Sequence, residues 1–440
     1  MKKPRLNILY LHAHDAGRHV QPYGFAAPTP HLQKLAESGM LFRQAFCANP
    51  TCSPSRACLM TGQYAHTNGM LGLAHRGFRL NDYNHTLVHY LRENGWHTAL
   101  AGMQHIAAKP AADAADIGYG ETMPTSKTPG DSLGITEAAE AFLARNHQTP
   151  FFLDVGYFPP HRDGKEGFPK VLPAPDPNYV CPPPHLPDNA ATRRDYAEYL
   201  ASVATFDAMA GRVLAALKAN GLEESTLVVC TTDHGIAFPG MKCSLTDRGT
   251  GVMLILRGPG GFSGGKVSDQ LVSQIDLFPT LCDTLGLAVP EWVQGVSALP
   301  LAENPDTPVR DEVFGEVNFH AAYEPMRSIR TREWKFIRRF HNHREPIFPN
   351  CDNGPSKTHW YQSGWKEREL PGTELYDLTF DPGEQCNLAA DPRHADTAAA
   401  LDARLRTWME ETADPILDGP LDATGKTVTP PTSYSPAPAP

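Results

Sequence analysis

Short, nearly all-apolar runs alternate with stretches of helical periodicity along this chain, and that alternation restricts its fold more than any other feature. Residues 6–11 (LNILYL), Trp96–Ala101, Phe151–Gly156, Leu227–Thr231 and Val252–Leu256 read as strands without a polar face. A strand apolar on both sides is buried on both sides, so helices must cover each face of a mostly parallel sheet. The segments between the strands supply those helices. Thr29-Pro30 opens one whose Leu32, Leu35 and Ala36 share a face before Gly39 stops it. Leu87–Asn94 and Thr136–Arg145 are also helical. A long helix runs from about Thr192 to Asn220, with Tyr196, Tyr199, Leu200, Val203, Phe206, Ala210, Val213, Leu214 and Leu217 at helical spacing and Gly221 as its stop. The predicted class is α/β, a large mostly parallel sheet with helices on both faces.

The pattern changes after about residue 306. Met326–Arg330, Trp334–Phe340 and Glu374–Leu378 read as paired strands, followed by a helix over Ala395–Glu411. This predicts a smaller α+β domain with an antiparallel sheet, giving the divisions 1–305, 306–425 and a Pro-rich tail over 426–440. The tail (TVTPPTSYSPAPAP) carries little apolar content and is expected to be disordered or draped over the surface.

Composition narrows the function classes. Lys plus Arg (39) against Asp plus Glu (49) gives a net charge of -10, which argues against a broad phosphate-tracking surface for nucleic acid. No window approaches the roughly 18 uninterrupted apolar residues of a spanning helix, so no membrane partner is expected. The nine cysteines are irregularly spaced and give no disulfide framework or zinc knuckle. The amino-terminal MKKPRLNILYLHAHD enters a strand pattern without a leader's apolar core. The expected location is cytoplasmic.

Ligands in open α/β sheets bind at the carboxyl ends of the strands. Three polar clusters fall there: His14-Asp15 after the first strand, His105 after Ala101, and Asp233-His234 after Thr231. Strand-end carboxylates held close would repel one another without a cation, which favours metal ligation for Asp15, Asp233 and His234. In Thr51-Cys-Ser-Pro-Ser-Arg-Ala-Cys-Leu-Met-Thr-Gly-Gln-Tyr64, Cys52 precedes a helix started by Pro54, with Arg56 in its first turn. A helix amino terminus favours anions, and Arg56 adds a fork for an oxyanion.

With these segments in view, the chain resembles the formylglycine-dependent sulfatases of the alkaline phosphatase superfamily. Their signature Cys-x-Pro-Ser-Arg-x-x-x-x-Thr-Gly matches Cys52 through Gly62. HDAG (14–17), the segment Gly102 to His105, PPHR (159–162), TTDHG (231–235), Lys242, DLFPTL (276–281) and ELYDLTFDPGEQCNL (374–388) follow in the family's order. NPTCSPSRACLMTG, TTDHGIAFPG and EPMRS are most similar to the sulfamidase-like branch. The resemblance implies that Cys52 is oxidised to formylglycine by a generating enzyme. One hydroxyl of the hydrated aldehyde then attacks sulfur, and the other expels sulfate. It implies metal ligands at Asp15, modified Cys52, Asp233 and His234, a proton-handling base at His105, and sulfate and leaving-group contacts from His161 and Lys242.

Two positions depart from the family. His14 stands where an aspartate is usual, and both ligation and a supporting role remain open for it, since neighbours on an extended strand end face opposite ways. Met103 stands where a lysine is usual; another residue, His14 among them, is expected to compensate. The family's oxygen-rich set suits calcium, whereas the imidazoles of His14 and His234 would favour manganese or another transition ion. Arg327 and the run Arg330 to Arg339 read as solvated strand charges more than as an anion groove, with Arg327 or His320 in a position to reach the pocket from the second domain, and Cys47, Cys58, Cys230 and Cys243 are assigned no chemistry. The expected function is hydrolysis of a sulfate ester or sulfamate on a small sugar, aryl or alkyl substrate, with self-association open. A phosphonate monoester or phosphodiester hydrolase is the alternative, and an inactive binding protein on this fold is a third reading.

Overall fold

A computed structural model of the chain describes residues 6–109, 113–123, 131–163 and 167–434. Eight strands form the larger sheet: β1 (Asn7–Ala13), β2 (Met40–Phe46), β3 (His97–Gly102), β4 (Glu121–Met123), β5 (Phe151–Gly156), β6 (Thr226–Thr232), β7 (Leu254–Arg257) and β8 (Lys266–Ser273). Their order is β4-β3-β5-β1-β6-β7-β2-β8. β1 lies at the centre, parallel to β5 and β6 on its two sides. Its side chains alternate between two cores. Leu9 and Leu11 join Leu32, Phe142, Val203 and Phe206 from the helices Pro30–Ser38, Ser132–Leu143 and Ala190–Ala219. Ile8 and Tyr10 join Ala57, Leu87, Leu91 and Phe278 from Cys52–Thr61, Leu87–Glu93 and Leu277–Leu285. The helix Ala190–Ala219 is long and apolar enough to cross a membrane by length and composition alone, yet most of its apolar stretch is buried in the first core.

β7 is antiparallel to both β6 and β2. The connection from β6 contains only one helical turn, Asp247–Thr250, too little to carry the chain back to the amino edge as a parallel crossover requires. Residues 233–253 therefore stay at the carboxyl edge, bringing Asp233, His234 and Lys242 to one place.

The second sheet is antiparallel, in the order β12-β11-β10-β9, built from β9 (Val313–Phe319), β10 (Tyr323–Arg330), β11 (Trp334–Arg339) and β12 (Thr373–Asp377). Helix Ala395–Glu411 lays Leu401, Leu405, Trp408 and Met409 against Ile329, Phe336 and Leu375. The architecture is the one the sequence predicts. β2, β8 and β9 lack a continuous apolar run because Arg43 and Gln44, Asp269 and Gln270, and Glu316 and Asn318 interrupt them. The tail is draped over the surface as far as residue 434. Thr427 N donates to Arg76 O, Thr429 N donates to Ala321 O, and Tyr434 stacks on Tyr361 at 3.7 Å. Residues 435–440 lie outside the described residues.

A buried ionic cluster joins the smaller sheet to the short helix Ala65–Asn68. His66 N and Nδ1 lie 3.1 and 3.0 Å from Glu316 Oε1, and Asn318 donates to Glu316 Oε2 at 2.8 Å. Arg327 is fully buried, 3.7 Å from Glu316 and bonded through its fork to Asp414. It is therefore not the solvated strand charge that the sequence suggests, nor does it reach the pocket, because Asp414 and Glu316 engage it inside the protein. Burial alone would raise the Glu316 carboxyl, but His66 and Arg327 outweigh it and hold it at about 2, below the ordinary 4.5. A depressed folded value means stability that is present above 4.5 and lost as pH falls toward about 2. Glu316→Gln is expected to cost about 3 kcal/mol at neutral pH and to flatten the acid limb in that window, measured by urea unfolding across pH.

Candidate active site

The site lies at the carboxyl edge of the larger sheet. β1 ends at Ala13, and Asp15 takes a left-handed backbone with φ of 52°. That turn breaks the extended alternation, so His14 and Asp15 converge instead of facing opposite ways. Ligating atoms of His14, Asp15, Cys52 and Asp233 all lie within 4.8 Å of one another. Asp15 N donates to Asp233 Oδ1 at 2.8 Å, fastening the β1 loop to the β6 loop. Cys52 is the first residue of helix Cys52–Thr61, capped by Thr51, and is buried. Ser55 Oγ donates to the Asp233 carbonyl at 2.5 Å, tying this helix to the same loop.

The donor set fits a divalent cation. His14 Nδ1 lies 3.1 Å from Asp233 Oδ2 without hydrogen-bond alignment, and Asp15 Oδ1 is buried with no hydrogen-bond partner among the described residues. His234 Nδ1 faces the Gly235 carbonyl at 3.0 Å, and as its donor leaves the Nε2 lone pair inward. That nitrogen is 3.3 Å from Asp15 Oδ1, 3.4 Å from Cys52 Sγ and 3.7 Å from Asp233 Oδ2. Lone pairs aimed into one buried space repel unless a cation fills it. Burial and Arg56 push His14 well below the ordinary imidazole range, so it is a neutral donor. Burial would raise Asp233, but His234, Arg56 and His14 overcome it and keep the carboxyl ionised.

Arg56 does not offer a free fork to an anion. Its NH1 is 2.5 Å from His12 Nδ1, and its NH2 donates to the Ala13 carbonyl and to Asp233 Oδ2, each at 3.1 Å. The oxyanion role expected for it narrows, because these buried acceptors take NH1 and NH2 and leave only Nε without a hydrogen-bond partner among the described residues. His12 Nε2 meets Asp154 Oδ1 at 2.8 Å, and Tyr119 OH donates to Asp154 Oδ2. Sequence reading missed this chain of contacts. Its signal was a histidine in LNILYLHA and an aspartate in FFLDVG, polar groups inside otherwise apolar strands.

His105 also has a left-handed backbone, φ 60°, and its ring nitrogens reach within 4.8 Å of donors on His14 and Cys52. Burial and the nearby Arg56 lower it to about 3, leaving it neutral. Its ring stacks on His75, with Nε2 3.4 Å from His75 Nδ1. The two departures from the family pattern touch each other: His14 Nε2 is 3.1 Å from Met103 Sδ. Being neutral, His14 does not restore the lysine's charge. His161 lies behind, with Nδ1 2.5 Å from the Arg162 carbonyl and Nε2 3.9 Å from Asp15 Oδ2. Lys242 Nζ bridges Asp15 Oδ2 at 3.0 Å and Asp352 Oδ2 at 2.8 Å. Burial would lower Lys242, but Asp15 and Asp352 raise it well above the ordinary ammonium value. Asp352, also missed from sequence, comes from the segment beyond β11. His320, at the end of β9, is buried in the electrostatic reach of Lys242, Asp352 and His234, as expected.

The chain is similar to known proteins over nearly its whole length. The sulfatase family model matches residues 7–287, and the model described as N-sulphoglucosamine sulphohydrolase, C-terminal, matches residues 242–363. Human N-sulphoglucosamine sulphohydrolase is 31% identical over 95% of this chain and 92% of its own length. An ulvan-active sulfatase of Formosa agariphila is 30% identical over 93% of this chain and 80% of its own length. A solved structure in complex with its substrate D-glucosamine-2-N,6-O-disulfate superposes with a TM-score of 0.72 at 20% identity, covering 93% of this chain and 98% of its own.

The cation site is open to a direct measurement. Millimolar manganese or calcium is expected to raise the melting temperature of the wild type by several degrees, as binding to the folded state alone requires. The paired substitution Asp15→Asn with Asp233→Asn is expected to abolish that shift. An equal shift in both proteins would place the cation elsewhere.

Proposed function

Because the chain belongs to the sulfatase family, we propose that this sulfatase removes the sulfuryl group from a sulfated amino sugar, as a sulfamate or sulfate ester, at Cys52 converted to formylglycine. The observation that carries the reading is Cys52 at the start of its helix, with Sγ among donor atoms of His14, Asp15 and Asp233. Sulfate chemistry needs a hydroxyl nucleophile here rather than a thiol. Burial pushes the Cys52 thiol far up, a shift that Lys242 opposes without reversing, so the unmodified side chain holds no thiolate. The partner implied is a formylglycine-generating enzyme.

A divalent cation held by His14, Asp15, Asp233 and His234 would supply positive charge beside the nucleophile and the sulfate oxygens. Two imidazoles among four protein donors suit manganese or another transition ion better than calcium. Lys242, kept protonated between Asp15 and Asp352, acts as a fixed positive charge for a sulfate oxygen. With Nδ1 engaged by the Arg162 carbonyl, His161 turns Nε2 toward the site, where it delivers a proton to the leaving group. His105, held neutral and with Nδ1 buried and unpartnered, accepts a proton from the nucleophile's second hydroxyl. Arg56 orients Asp233 and His12 rather than touching substrate.

The human relative is an N-sulphoglucosamine sulphohydrolase, and the solved structure holds D-glucosamine-2-N,6-O-disulfate as its substrate. Both support an amino-sugar substrate. Protein coexpressed with a formylglycine-generating enzyme is expected to release sulfate from glucosamine 2-N-sulfate, and Cys52→Ala to lose at least about a thousandfold of that rate. Faster turnover of an aryl phosphonate monoester than of any sulfated substrate would overturn the reading. Lys242→Ala is expected to lower kcat about a hundredfold and to change KM far less, because charge on sulfate oxygens and leaving group grows mainly in the transition state.

A further inference from the structure

Among the described carboxylates of this site, Asp352 is the one that reaches the surface. Asp15 and Asp233 are fully enclosed, whereas the Asp352 side chain is 21% exposed. Its Oδ2 meets Lys242 at 2.8 Å, and it gathers with Asp15 and His161 to within 4.8 Å between ligating atoms. Among the described residues, nothing donates a hydrogen bond to its Oδ1. His320 stands on the same side, buried, with Nδ1 unpartnered among the described residues.

This corner is built. Asn350 Oδ1 accepts from Ala322 N at 2.8 Å, and Asn350 Nδ2 donates to Glu324 at 2.9 Å, fixing the Asp352 segment to the turn that carries His320. Lys357 Nζ donates to Cys351 O at 2.7 Å and to Asn353 Oδ1 at 2.8 Å, holding both neighbours of Asp352. At Gly354 an added Cβ would come within 2.7 Å of Arg162 NH1, so this backbone packs directly behind the PPHR turn. Asp352 is therefore presented beside Lys242, assigned above to a sulfate oxygen, and beside His161, assigned above to the leaving group.

A carboxylate in that position treats the two kinds of sulfuryl bond differently. Hydrolysis of a sulfamate, R–NH–SO3⁻ + H2O → R–NH3⁺ + SO4²⁻, forms a new S–O bond and breaks S–N. The sulfamate nitrogen carries a basic lone pair, so it takes the His161 proton before S–N breaks and stands positively charged beside Asp352. The S–N electron pair then stays on nitrogen, and the amine takes its second proton from solvent, the hydrogens coming from water overall. The bridging oxygen of a sulfate ester is far less basic and takes the His161 proton only as S–O breaks, so the electron pair it keeps places negative charge beside the same carboxylate.

Resting on the amino-sugar reading above, we infer that Asp352 is a specificity-determining residue that selects sulfamates over sulfate esters by pairing with the departing amine. Asp352→Asn keeps the shape and removes the charge. Its kcat/KM on glucosamine 2-N-sulfate is expected to fall about ten- to a hundredfold, the span of a charge-assisted hydrogen bond. Its kcat/KM on glucosamine 6-O-sulfate, which shares only the loss of the Lys242 contact, is expected to fall far less, so the N-to-O preference drops at least about tenfold. Asp352→Glu is expected to retain the preference. Equal losses on both substrates would mean that Asp352 serves only to place Lys242 and would overturn the inference. An unchanged ratio, or a wild type that cleaves only the O-sulfate, would also overturn it while leaving the sulfatase reading intact. A wild type that carries formylglycine and releases sulfate from neither sugar would overturn both.

Discussion

Two carboxylates, Asp15 and Asp233, are buried side by side at the end of adjacent strands, and the arrangement of the site follows from having to hold them there. Isolated ionised carboxylates in such surroundings would be expelled or neutralised by proton uptake. Here Arg56 reaches Asp233 from below, Lys242 reaches Asp15 from the side, and two imidazoles turn lone pairs into the space between. A divalent cation would complete that balance, and the mutual repulsion that makes the site costly would then make it selective for one.

That constraint reaches into the centre of the sheet. Arg56 is engaged at one end by Asp233 and at the other by His12, which passes the contact on to Asp154 and Tyr119. β1 and β5 thus carry a polar thread through an otherwise apolar layer. Such a network rigidifies when every member is satisfied, and it fixes the angle at which Asp233 enters the site. The left-handed backbone at Asp15 and His105 belongs to the same design: strain of this kind persists where surrounding contacts over-determine it.

Most of the architecture was legible in the sequence because burial on both faces leaves a plain signature. The runs at Phe151–Gly156 and Leu227–Thr231, and the helix that supplies Tyr199 and Phe206, could be read from apolar spacing alone. β2, β8 and β9 could not, since their polar residues serve edges, loops and the Glu316 cluster. At the site, Cys52, Asp15, Asp233 and His234 announced themselves by motif and by position at strand ends. The convergence of His14 with Asp15 depended on a backbone turn that periodicity does not encode. Arg56 misled because a fork in a helix's first turn looks available until its buried acceptors are known. Asp352 was silent: it sits in an irregular segment more than a hundred residues from Lys242, and only tertiary folding gives it a neighbour.

The two sides of the pocket are attached to the protein in different ways. The cation-binding side is woven through the central strands, so a change at Arg56, His12 or Asp154 propagates into the sheet. The Asp352 side is an irregular segment braced internally by Lys357, tied to the smaller domain by Asn350 and to the helix Ala190–Ala219 by Ser356 on Asp195, and it meets the strand ends through Lys242. A lineage built on this plan can exchange the chemistry it recognises while inheriting the chemistry it performs, and the boundary between the variable and the inherited part runs along the side chain of Lys242.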